Sequence, residues 1–201
     1  MRVAFRTGAL VLLGLLAGPR MASAQTSTVE AKYHGLLDVR QAGGSIDRAT
    51  GTGMIRVQRW TARVNTDSNG IFPDQEPVVF AAKVGGSDEN FMLPAGMMKK
   101  SRNGKVFSYR AAPGTVQRGV RTFRMKLRPD GVFYDVRFIL VGVEMSILKF
   151  QDPLCVPFAI IIGDDDFFNG ISLTSPSFAS RRLEIPSSCT VDTNDWTWIR
   201  G

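Results

Sequence analysis

From Thr122 to Leu140 the chain alternates apolar and polar residues with a period of two, and this pattern restricts its fold more than any other. Phe123, Met125 and Leu127 alternate with Arg124, Lys126 and Arg128. After the turn residues Pro129-Asp130-Gly131, the alternation resumes through Val132, Tyr134, Val136, Phe138 and Leu140. Successive side chains of a strand point to opposite faces, so one face of each segment seeks a core and the other meets water. The prediction is an antiparallel hairpin closed by a Pro-Asp-Gly turn.

The same signature recurs elsewhere, and helical periodicity is nearly absent. Ile55 and Val57 alternate with Arg56 and Gln58, whereas Trp60, Ala62 and Val64 take the opposite parity. That phase slip predicts a β-bulge near Gln58 and Arg59, with Trp60 in the core. Lys105 to Arg110 reads as a strand after the turn Arg102-Asn103-Gly104. Val78 to Val84 and Val156 to Ile162 are almost continuously apolar, the pattern of central strands covered on both faces.

These two segments also carry an internal repeat. Slid 78 positions along itself, the chain brings Phe72, Asp74, Val78, Phe80, Ala81, Gly85 and Asp88 onto Phe150, Asp152, Val156, Phe158, Ala159, Gly163 and Asp166. About one match in such a window is expected by chance, so a duplication follows. The fold class expected is all-β: an antiparallel β-sandwich of two duplicated β units, about 54–116 and 117–188, within a body of residues 54–201. Gly43 to Gly53, at the end of an N-terminal segment 25–53, reads as a flexible loop.

The amino-terminal sequence points to export. Arg2 and Arg6 precede an apolar run from Gly8 to Gly18, and Ala22-Ser23-Ala24 offers a small-residue cleavage site, so residues 1–24 read as a removable signal peptide. The run is shorter than the roughly 20 apolar residues that span a bilayer, and no transmembrane segment follows. Export to the periplasm or beyond makes Cys155 and Cys189 a disulfide pair, 34 positions apart. Without the signal, 22 basic residues face 18 acidic ones. The basic residues, such as Arg124, Lys126 and Arg128, are scattered along strands without a long cluster, and nucleic acid is not expected as a partner. Weak attraction to anionic glycans or lipid head groups fits the mild charge.

Two places attract a functional reading. Gly163 to Gly170 concentrates Asp164, Asp165, Asp166 and Asn169, and Asp164, Asp166 and Asn169 could present oxygens to calcium. The run lacks EF-hand spacing, and acids are common in a turn that must stay in water. Trp196 and Trp198 lie two apart, so in a strand both rings share one side, as a stacking platform for sugars or as core packing. No catalytic residue is expected: His34 is the only imidazole, and no Ser elbow or Cys-His signature accompanies it. The repeat positions Asp88 and Asp166 are the one carboxylate pair that invites a glycosidase reading.

One family likeness supports the architecture. Asp130-Gly131-Val132-Phe133 through Val143, followed by Pro153, Val156 to Ile162 and Gly163-Asp164-Asp165, resembles repeats of uncharacterised secreted bacterial β-sandwich proteins. Pro77 to Val84 with Gly85-Gly86-Ser87-Asp88 resembles a degenerate copy. The likeness implies a β-sandwich and carries no activity or cofactor. The expectation is therefore a non-catalytic secreted module with a structural or binding role at the cell surface, through self-association or surface polysaccharide. The alternative is a glycan-recognition or glycan-processing domain using Trp196, Trp198 and a calcium-bearing turn. A carrier of apolar ligands, a third class, would need an open barrel with a cavity.

Overall fold

The computed structural model describes residues 31–40, 42–47, 49–149, 153–174, 182–185 and 188–190. Residues 1–24, expected to be a signal peptide, Asp152, and the pair Trp196 and Trp198 lie outside them. Thirteen strands and one 3-10 turn, Ser146–Lys149, make up the described structure, in which there is no α-helix. The strands are β1 Tyr33–Asp38, β2 Ala42–Ile46, β3 Thr52–Arg63, β4 Val78–Val84, β5 Ser87–Leu93, β6 Lys99–Lys100 and β7 Val106–Arg110. They continue as β8 Gly119–Leu127, β9 Phe133–Glu144, β10 Leu154–Ile162, β11 Asp165–Leu173, β12 Arg182–Ile185 and β13 Ser188–Cys189.

All belong to one sheet, with the path β5-β4-β10-β11-β1-β3-β9-β8-β7-β6; β2 bridges β3 and β12, and β13 lies on β11. The sheet curls so that rings from its two arms meet in the interior. Trp60 of β3 sits edge-on to Phe158 of β10 at 5.5 Å, and Phe80 of β4 contacts Phe123 of β8 at 5.0 Å and Phe138 of β9 at 5.1 Å. Near the curl's open side, buried Glu89 on β5 accepts a hydrogen bond from Arg118, just before β8, at 3.0 Å. The Trp60 indole is fully buried and donates to the Arg40 carbonyl at 2.8 Å, which satisfies its one polar group.

The expected hairpin is β8 with β9, in register from Thr122↔Ile139 to Leu127↔Tyr134. Asp130 Oδ1 accepts from the Val132 and Phe133 amides at 2.9 and 3.0 Å, and these bonds hold its carboxyl below the usual carboxylate range. The pairing of β3 with β9 slips between Val57 and Trp60, where the change of parity placed a bulge. One stretch departs from its reading. Gly43 to Gly53, expected as a flexible loop, carries β2 and the start of β3 around a short turn. A Cβ at Gly44 would collide with the Met54 carbonyl, so these glycines serve close backbone approach instead of slackness.

The two continuously apolar strands lie side by side. β4 pairs with β10 antiparallel, Ala81 opposite Ala159, two residues that are themselves 78 positions apart. Hairpin β4–β5 turns at Gly85-Gly86 and pairs Val78 with Leu93; hairpin β10–β11 turns at Gly163-Asp164 and pairs Val156 with Ile171, each partner again 78 positions further on. The ring contacts Trp60–Phe158 and Phe138–Phe80 obey the same step. Two further hairpins, β2–β3 and β8–β9, pair Gly43 with Arg56 and Arg124 with Arg137. The main core lies inside the curl, and a smaller apolar cluster of Ala31, Ala81, Ala159 and Ile161 covers the other face of β4 and β10. That second cluster explains why these strands are apolar on both sides.

Candidate functional site

The acidic stretch is neither a long turn nor solvated. Only Gly163 and Asp164 form the turn, and Asp165 opens β11. Asp165 and Asp166 are buried, at 1% and 3% exposure, because strand pairing on both sides of β11 draws them under the edge of the sheet. β1 runs parallel to β11 and sets His34 beside Asp166, where Nδ1 lies 2.9 Å from Asp166 Oδ2. Ser68, on the loop after β3, donates to Asp165 Oδ2 at 2.9 Å and accepts from the Gly70 amide at 3.0 Å. Asp165 Oδ1 is buried without a hydrogen bond, and burial, with the nearby carboxylates of Asp164, Glu76 and Asp166, pushes the Asp165 carboxyl up to about 6 against the lowering bond from Ser68.

These contacts fasten the loop 64–77 to the ends of β1 and β11. Asn65 adds a bond to the His34 carbonyl at 3.1 Å, and the Glu76 carboxylate occupies the space a side chain at Gly163 would need. Ser68 and His34 serve different carboxylates, so no Ser-His pair forms among the described residues. Asp166 and Asn169 stand three apart on one strand and project to opposite faces. Asn169 instead donates to the Leu37 carbonyl at 2.6 Å, so Asp164, Asp166 and Asn169 are not brought to one point. No group of three or more acidic, His or Cys side chains among the described residues is arranged to hold a metal ion. Asp88 and Asp166 lie on β5 and β11, with β4 and β10 between them. Three strand spacings, about 14 Å, separate those strands, beyond the separation of any glycosidase carboxylate pair. Cys155 and Cys189 form the disulfide, with Cα atoms 5.9 Å apart, tying β13 to the β10–β11 hairpin.

A second constellation lies on the outward face of the arm β3-β9-β8-β7-β6. Strand pairing sets Arg137 opposite the Gln58-Arg59 bulge, Arg124 opposite Arg137, Ser108 opposite Arg124, and Lys99 opposite Ser108. One straight row thus crosses five strands and carries Arg59, Arg137, Arg124 and Lys99, all exposed. The neighbouring row runs Arg56, Ile139, Thr122, Arg110, adding two more exposed arginines. Two adjoining depressions of about 450 and 620 Å³ follow these rows and share Thr122 and Arg137.

None of these six cations has an acidic partner among the described residues. On the opposite flank Lys126 faces Asp135, which Arg128 binds at 2.7 Å, so an acidic residue borders the patch there. Like charges directly opposite on paired strands destabilise a sheet, so Arg124 beside Arg137 has a folding cost that no acidic partner among the described residues offsets. Scattered in sequence, these residues become a cluster only through pairing. The one sequence signal was the polar parity of β8, together with arginines at the bulge.

No family model matches the chain, and no curated protein matches it. Among the described residues no helix is long and apolar enough to cross a membrane.

Proposed function

We propose that the protein is an exported, non-catalytic β-sandwich module, built from two duplicated β units, that binds anionic material at the cell surface through its cationic sheet face. The observation that carries this reading is the row Arg59, Arg137, Arg124, Lys99, which has no acidic partner among the described residues. Six cations on this face exceed the excess of 22 basic over 18 acidic residues in the chain without its signal, so the rest of that chain is slightly acidic and the charge is segregated. Export rests on the basic, apolar and small-residue order of residues 1–24, and the disulfide suits an oxidising compartment. Duplication rests on the seven sequence matches at a step of 78 and on the side-by-side pairing of β4 and β10, the strands those matches align, and it agrees with the likeness to repeats of secreted bacterial β-sandwich proteins.

The test is binding of the mature protein to dextran sulfate and to neutral dextran at low and high salt. Salt-sensitive binding to the charged polymer alone, lost in Arg124→Gln/Arg137→Gln, is the expected result. Equal retention on both polymers, or unchanged binding by the variant, would refute the reading.

A further inference from the structure

Resting on that reading, we infer that the occupant of the cationic face is a linear polysaccharide bearing carboxylates, lying across the strands along the row from Arg59 to Lys99. Its direction follows from the pairing. Neighbouring strands are about 4.8 Å apart, so the Cα positions of Arg59, Arg137 and Arg124 follow one another at about that interval and Lys99 lies two intervals further, about 19 Å in all. An extended polymer with regularly spaced anions can meet every one of these positions while remaining straight. Along β9, by contrast, the cations stop within one row: beyond Arg137 lie Ile139 on one side and Asp135 on the other, the latter already engaged by Arg128.

Chemistry between the charges narrows the class. Gln58, Thr122 and Ser108 alternate with the arginines and supply the neutral donors and acceptors that hydroxyl-rich rings require. Guanidinium forks match carboxylates two bonds at a time, and three of the four cations in the row are arginines. A lipid bilayer fits less well, because an interfacial surface needs apolar side chains that enter it. Among the described residues the exposed large apolar ones are Leu36, Phe72, Met92, Met97 and Val132, and of these only Met97 borders the depressions. Nucleic acid fits less well because single strands are held by exposed aromatic platforms. The aromatic residues lining the depressions are Phe123 and Phe138, which are buried, and the partly buried Tyr109.

The experiment measures binding of the mature protein to oligogalacturonates of increasing length, with anionic phosphatidylglycerol vesicles and neutral dextran in parallel arms. Affinity should rise with length until the oligomer spans about 19 Å and then level off. Arg124→Gln and Arg137→Gln should each weaken binding about fivefold, the loss of one well-placed exposed ion pair. Lys99→Gln should weaken only the longer oligomers, and Lys126→Gln, in the row that holds Asp135, should leave all of them unchanged. Thermal melts verify that each surface variant folds. Vesicle binding that depends on Arg124 and Arg137, without oligogalacturonate binding, would overturn the polysaccharide while leaving the face as the site. Failure of both arms would overturn the inference and the binding face together, and Lys126→Gln weakening binding as much as Arg124→Gln would overturn the direction along the row.

Discussion

Asp165→Asn should stabilise the protein at neutral pH and remove part of its pH dependence. Asp165 is 1% exposed, one carboxylate oxygen accepts the Ser68 bond, and the other has no hydrogen bond. Its carboxyl is pushed up from 3.8 to about 6, first by burial and then by the charges of Asp164, Glu76 and Asp166. A folded-state value above the unfolded one favours folding while the group is protonated. That contribution is complete below about pH 4 and is lost as pH rises through about 6. A shift of about two units corresponds to about 3 kcal/mol before screening. Because the group lies next to the surface turn Gly163-Asp164, solvent screening reduces this to about 1–2 kcal/mol. Asparagine keeps the shape and the acceptor for Ser68 and carries no charge. Thermal unfolding followed by circular dichroism at pH 4, 5, 6 and 7.5 should show a gain of about 3–6 °C at pH 7.5 that vanishes at pH 4. A variant that differs from the parent by the same amount at both extremes would refute the assignment of a strained, ionised Asp165.

Two further outcomes test the hairpin geometry and the disulfide. Gly163 has φ of 58° and the Glu76 carboxylate where a Cβ would stand, whereas Gly86, with φ of 87°, has open space. Gly86→Ala should therefore cost about 1 kcal/mol and Gly163→Ala about 2 kcal/mol or more, read from urea midpoints. Reducing Cys155–Cys189 opens a closure of 34 positions and should lower stability by about 3–4 kcal/mol in the loop-entropy account, measured as unfolding with and without reductant.

Much of the sheet was legible because strand alternation is a local property of the backbone. The inward residues Phe123, Met125, Tyr134, Val136 and Phe138 are all buried, as parity required. The two continuously apolar segments aligned by the 78-position slide lie side by side as β4 and β10. The acidic stretch misled. Three consecutive aspartates have weak strand propensity, but pairing with β1 and β10 outweighed it and carried Asp165 and Asp166 beneath the surface.

Side-chain parity, turn chemistry and the cysteine pair depend on neighbours a few residues away or on simple counting, so the chain alone specifies them. Which strand lies beside which depends on contacts between residues far apart in the chain, such as His34 with Asp166 and Arg59 with Arg137. Those pairings turn dispersed arginines into one row without an acidic partner among the described residues, and a distant histidine into the partner of a buried carboxylate. They arise from burial of the whole apolar interior at once, a property that no single segment possesses.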